Sequence, residues 1–192
     1  MISKRKHIII APHADDEIIG CYDILRSTED VIVIYNEDMT KKRKNETKRL
    51  TEFFSNVKAQ LFLHQIPQHL INEDTIIHCP DPIYELHPLH RLQGNIGEQL
   101  LRYTGANVMF YSTNMNAPYI YEIDNPNEKE KVLNNIYYSQ KQLWKYDHKY
   151  FLFEGHCQWI NKNYFIKQNK KDKKEIPNKV SSEIIVKDEK GE

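Results

Sequence analysis

Cysteine is scarce in this chain: Cys21, Cys79 and Cys157 stand far apart, with no CxxC pair among them. An odd number at wide spacing argues against a disulfide framework and reads as reduced thiols in a cytosol. Net charge is missing too. The 27 basic residues are balanced by 27 acidic ones, so bulk electrostatics give no footprint of nucleic-acid or membrane binding. Long apolar runs are also lacking. After Lys4, Arg5 and Lys6 only three isoleucines occur before polar chain resumes, too few for a signal peptide or a spanning helix. The expectation is a cytoplasmic protein with no membrane span and no nucleic-acid partner. Internal repeats are absent. So is a glycine-rich loop at the first strand-to-helix turn, which argues against a phosphate-cradling nucleotide domain.

What is present is an alternation of strand and helix. Residues 7–11 read as a short strand, apolar on both faces as in a parallel sheet. A helix follows over 16–26, with Ile18, Ile19, Tyr22 and Leu25 as its apolar stripe. A second buried strand covers 31–35, and the charged helix at 40–57 carries Leu50, Phe53, Phe54 and Val57 at helical spacing. Strands at 59–63 and 74–79, the latter ending before Pro80, precede a helix over 87–103 with Pro88 in its first turn. A buried strand at 107–112, an edge strand at 118–123 and a last helix over 128–146 complete the pattern. The pattern predicts an α/β fold: a mostly parallel central sheet with helices on both faces and its site off the carboxyl ends of the strands. Residues 1–166 read as one domain, and 167–192 as a charged, mobile extension in which Ile184 to Val186 are a candidate small strand.

The stretch His7 to Cys21, HIIIAPHADDEIIGC, sets Asp15, Asp16 and Glu17 side by side directly after a buried strand. Like charges that close repel unless a cation or a hydrogen-bond network compensates them. His13 and Asp16 are three apart where strand becomes helix, and His87 and His90 are again three apart at the start of a later helix. Two histidines and a carboxylate, with a fourth position left for water, make a catalytic zinc arrangement. Such a metal brings the pKa of bound water from about 15.7 to roughly 7, and a spare carboxylate takes its proton. His13, Asp16 and His90 are then the metal ligands and Asp15 the general base. His87 is left to hydrogen-bond the oxyanion or to protonate the leaving group. The same ligands hold iron(II) or cobalt as well as zinc. The blander alternative is that the three acids merely complement a helix dipole, worth about 0.3–1 kcal/mol each, but that leaves His13 unexplained. His64, His69, His78, His148 and His156 read as ordinary histidines.

The segment APHADDEIIGC closely resembles the PHPDDE-type signature of the LmbE-like, or PIG-L, family of zinc-dependent N-deacetylases. Further likenesses follow in matching order. RKNETKRLTEFFSNV is similar to a family helix with an R-x-x-E pair, here Arg43 and Glu46. CPDPIYELHPLH resembles the H-P-D-H metal motif, and KEKVLNNIYYSQKQL a late helix ending in Ser-Gln, here Ser139 and Gln140. The likeness spans about residues 6–145. It implies a Rossmann-like three-layer sandwich and hydrolysis of an acetamido group on an N-acetylglucosamine derivative. Carried over, His13, Asp16 and His90 bind zinc, Asp15 is the base, His87 stabilises the tetrahedral intermediate and Arg43 contacts the sugar or its anionic aglycone.

Three departures stand out. Ala14 replaces a proline, and Tyr22-Asp23 stands where glycines are frequent, so the first helix packs differently. Leu89 occupies the place of the acid in H-P-D-H, which leaves His87 harder to protonate unless Asp81 or Glu85 substitutes. That departure supports an alternative: a metal-binding, catalytically impaired member of the same fold that binds a ligand or a partner. The substrate's identity within the acetamido sugars and the assembly of identical chains are left open by the sequence.

Overall fold

The computed structural model describes residues 5–35, 40–63, 66–114, 116–145 and 147–157. Among them seven strands form one sheet in the order β3-β2-β1-β4-β5-β7-β6. The strands are β1 Lys6–Ala11, β2 Asp30–Tyr35, β3 Val57–Phe62, β4 Thr75–Pro80, β5 Asn107–Ser112, β6 Tyr119–Glu122 and β7 Phe153–Cys157. β1 to β5 pair in parallel, whereas β7 lies antiparallel between β5 and β6. The mostly parallel α/β sheet expected from the alternation is present.

The strands exist because their side chains divide cleanly between two faces. Ile9, Ala11, Val31, Val33 and Tyr35 join α1 (Asp16–Arg26), α2 (Lys41–Phe53) and α4 (Pro126–Ile136) in one apolar cluster. Ile8, Ile10, Ile34, Ile77 and Cys79 form a second, with Leu100 and Leu101 of α3 (Pro88–Thr104) packed against it. Helices thus flank both faces, and each fully buried isoleucine contributes about 1.5–3 kcal/mol. Gly105 closes α3 in the left-handed region, φ 66°, where a side chain would be strained.

Successive parallel strands step outward from β1 toward β3, then reverse to β4 and β5. β1 and β4 are therefore neighbours whose chains leave in opposite directions, which opens a crevice at their carboxyl ends. His13 follows β1, and His87 and His90 follow β4.

Several expectations are corrected. The last helix does not run to 146. α4 ends at Ile136, a 3-10 turn covers Tyr138–Gln140, and two single-turn helices follow, α5 (Lys141–Trp144) and α6 (Lys149–Leu152). β7, which the sequence pattern does not announce, replaces the expected end of ordered elements. α2 stops at Phe53, β3 begins at Val57, and β4 includes Pro80. No helix among the described residues is long and apolar enough to cross a membrane. Cys21 and Cys79 are buried free thiols, each pushed up by burial. The charged C-terminal segment lies outside the described residues, as does His64.

Candidate metal centre

β1 is buried nearly throughout, so its chain must turn where the apolar run ends. The turn is tight. Asp15 has φ 141°, the one positive φ at a non-glycine residue among those described, and such a backbone costs on the order of 1–3 kcal/mol. Its carbonyl accepts from Ile18 and Ile19 and starts α1. The three adjacent acids then part company. The Asp15 side chain makes no cap bond and faces the Arg43 guanidinium at 3.9 Å. Asp16 turns back, its Oδ2 accepting from the His13 amide at 2.8 Å. Glu17 turns into the core, where Tyr137 Oη donates to it and the Asp15 amide reaches it at 3.2 Å. Burial pushes Glu17 up to about 7 against these bonds. The charge crowding is thus resolved by separating the carboxylates, not by a shared role at the helix end.

The second half of the site comes from the turn before α3. His87 caps this helix, its ring Nδ1 accepting from the Leu89 amide at 3.2 Å, and Pro88 follows in the first turn. His90 then points back to β1. His13 Nδ1, Asp16 Oδ2 and His90 Nε2 converge: 2.9 Å between the two nitrogens, 3.3 and 3.2 Å from each to the carboxylate oxygen. The rings of His13 and His87 meet edge-on at 4.8 Å. One nitrogen each from His13, His87 and His90 lies within 4.8 Å of the others, so the three histidines are able to hold a metal ion.

The donor set fits a divalent ion. Ligand atoms at zinc–ligand distances of about 2.0–2.2 Å in a tetrahedron stand about 3.3 Å apart; Asp16 is at that spacing from both His13 and His90, whose nitrogens stand closer at 2.9 Å. His87 differs. While its Nδ1 accepts from the Leu89 amide, the neutral ring carries its proton on Nε2 and donates there; His87 joins the other two histidines as a ligand only if that proton is given up.

Glu85 supports His90 from behind. Its carboxylate lies 3.2 Å from His90 Nδ1 and accepts from the Thr113 amide, the Thr113 hydroxyl and the Asn114 side chain. A carboxylate on the far nitrogen fixes the tautomer and orientation of a metal-ligating histidine. Neither acid that could stand in for the one missing at Leu89 serves His87: Glu85 lies against His90, and Asp81 caps the turn by accepting from the Ile83 and Tyr84 amides. Burial would lower the His90 value, but the flanking Asp16 and Glu85 push it up to about 10. Burial would raise Asp16, yet His13 and His90 hold it well below the usual carboxylate range. His87, although exposed, is lowered by desolvation against its neighbours and by the charges of His13 and His90.

The turn that carries Asp15 is tied from outside. The Ala14 carbonyl accepts from Arg43 Nη2 at 2.7 Å and from Gln140 Nε2 at 2.6 Å, while Glu46 accepts from the Ser139 amide and hydroxyl. The Arg43/Glu46 and Ser139/Gln140 pairs singled out in the sequence thus meet across the turn. Thr113 and Asn114 also take part, and nothing local in NVMFYSTN marks them: Thr113 bonds Glu85 and lies 3.3 Å from His90 Nδ1, and Asn114 donates to the Tyr84 carbonyl and to Glu85. Tyr22 packs edge-on against Phe54 in the core. Set beside known family models, curated proteins and solved structures, the chain matches none of them.

Proposed function

We propose that this chain is a metal-dependent amidohydrolase that removes an N-acetyl group from an N-acetylglucosamine-type sugar derivative, on a Rossmann-like three-layer sandwich of the LmbE/PIG-L kind. The observation that carries the reading is the convergence of His13, Asp16 and His90 beside the strained, buried Asp15. Its position between β1 and β4, where strand order reverses, is where α/β sheets bind ligands.

His13 Nδ1, Asp16 Oδ2 and His90 Nε2 would hold the ion, zinc in the first instance and iron(II) or cobalt as alternatives. A divalent metal supplies Lewis acidity there, polarising a carbonyl and making water acidic near neutral pH. Asp15 takes the proton of the attacking water as the new C–O bond forms at the acetyl carbon. It returns that proton to the nitrogen as the C–N bond breaks, releasing acetate and the free amine. His87 donates its Nε2 proton to the developing oxyanion, a role the neutral ring fills without the missing acid at Leu89. Arg43 holds the Ala14–Asp15 turn, and its half-exposed side chain is left to meet the sugar or an anionic aglycone.

A second reading, metal binding with impaired catalysis, draws on the fact that Glu85 serves His90 and that the His87 value is lowered. One experiment separates them. Asp15→Asn is expected to keep stoichiometric metal and to lose about 10²–10⁴-fold in acetate release from N-acetylglucosamine glycosides. Wild-type turnover in that variant would remove Asp15 as base. A metal-loaded wild type that deacetylates no acetamido sugar would leave the second reading standing.

A further inference from the structure

α1 is not one helix. Cys21, in its middle, has φ −140° and ψ 31°, outside the helical region. In a regular helix the Tyr22 amide bonds the Ile18 carbonyl and the Ile19 carbonyl accepts from residue 23. Here the Tyr22 amide donates to Glu154 Oε1 at 2.5 Å, and the Ile19 carbonyl accepts from Lys129 Nζ at 2.8 Å. The two side chains also meet each other at 3.4 Å and are almost fully buried, Lys129 in α4 and Glu154 in β7. Lys129 further donates to the Phe153 carbonyl at 3.3 Å, and His156 lies 3.3 Å from the other Glu154 oxygen. Side chains inserted into the backbone ladder are a recognised cause of helix breaks.

A buried ion pair is weak evidence for stability, because apolar residues of similar volume often serve as well. The pair instead satisfies two backbone groups at the break. Just before it, Gly20 lies on the Tyr111 ring so closely that an added Cβ would stand 2.3 Å from it. The Tyr111 hydroxyl in turn donates to the Ile10 carbonyl at 2.7 Å, on the strand that leads to His13. The first turn of α1, which carries Asp16, thus lies between the Tyr111 contact on one side and the break with its inserted Lys129 and Glu154 on the other.

We infer that Lys129 and Glu154 are positioning residues for the metal centre: they hold open the break in α1 and so set the direction of its first turn and of the Asp16 carboxylate. This rests on the metal reading above. The test is Lys129→Met/Glu154→Leu, which removes both inserted groups without leaving a buried charge. Zinc affinity is measured by titration, and ligand geometry by the visible spectrum of the cobalt-loaded protein. The expected result is affinity weakened about 10-fold or more with altered cobalt bands. Lys129→Met/Glu154→Gln, whose amide oxygen still accepts from Tyr22, recovers most of both. A folded apolar variant with a lower melting temperature but unchanged affinity and spectrum overturns the inference. If that pair does not fold, Lys129→Met/Glu154→Met, whose unbranched side chains follow the shape of the originals more closely and leave no buried charge, is read the same way. A wild type that binds neither zinc nor cobalt defeats the metal reading and this inference with it, an outcome distinct from variants that bind as wild type does.

Discussion

Two sets of two histidines and a carboxylate lie along the seam between β1 and β4, and they behave differently. Within the strands, His7 of β1 reaches His78 of β4 at 2.8 Å through Nδ1, and through Nε2 it reaches Glu29, which stands just before β2. At the carboxyl end, His13, His90 and Asp16 present one atom each to a common point. The first set is a line, with both nitrogens of its central ring already engaged. The second is a triangle, with the spare nitrogen of His90 held from behind by Glu85. Residue types are nearly the same, so composition does not decide which set is able to hold a metal ion. Backbone direction does. Side chains within a strand stand roughly perpendicular to the sheet, whereas those in the turn and helix start beyond it are aimed across the crevice. Burial, with His7 alongside, holds His78 well below its ordinary value, so that ring stays neutral.

The sharpest way to break this comparison is metal content. Asp16→Ala and His90→Ala are expected to abolish stoichiometric zinc or cobalt binding while the chain stays folded. His78→Leu keeps the metal and costs only about 1–3 kcal/mol of stability, the price of orphaning a buried hydrogen-bond partner. Metal lost in His78→Leu, or kept in Asp16→Ala, would reverse the assignment of the two sets.

A smaller effect is expected one shell out. Glu85→Gln loses the charge behind His90 and is expected to weaken zinc affinity about 10–100-fold, read by competition with a chelator. Unchanged affinity would make Glu85 a loop anchor for Thr113 and Asn114 and nothing more.

The smallest concerns pH in metal-free protein. His90 is raised to about 10 in the fold, so its stabilising contribution is complete below its unfolded value of about 6.5 and is lost as pH climbs toward 10. Asp16 is depressed, so its contribution is present above about 3.9 and is lost as pH falls below that. The melting temperature of metal-free protein should therefore decline between pH 6.5 and 10, and loading with metal, which takes the proton's place, should flatten that decline. Equal slopes with and without metal would count against ligation by His90.

Legibility differs along the chain for physical reasons. β1, α1 and β2 are read nearly to the residue because buried parallel strands are plain apolar runs and α1 has a clear stripe. The helix over 128–146 is overextended because its apolar spacing continues through Tyr137, yet Ser139 and Gln140 bond to Glu46 and Ala14 in place of a helical ladder. β7 escapes because FEGHC is short and bears buried Glu154, whose partner Lys129 lies 25 residues away. At the break at Cys21 the only local mark is Gly20; the groups inserted there, Lys129 and Glu154, come from distant segments.

The amino-acid sequence by itself determined the α/β alternation and singled out five residues of the candidate site, His13, Asp15 and Asp16 at the first turn and His87 and His90 in the second histidine pair, because periodicity and motif spacing are local properties. Only the tertiary structure decided that the strand order reverses between β1 and β4 and that Glu85 backs His90 and not His87. It alone decided, too, that one set of histidines converges while the other lines up. Those outcomes depend on which strands pair and where side chains from distant segments meet, and the free energy that selects them is spent on long-range burial that no short stretch of sequence contains.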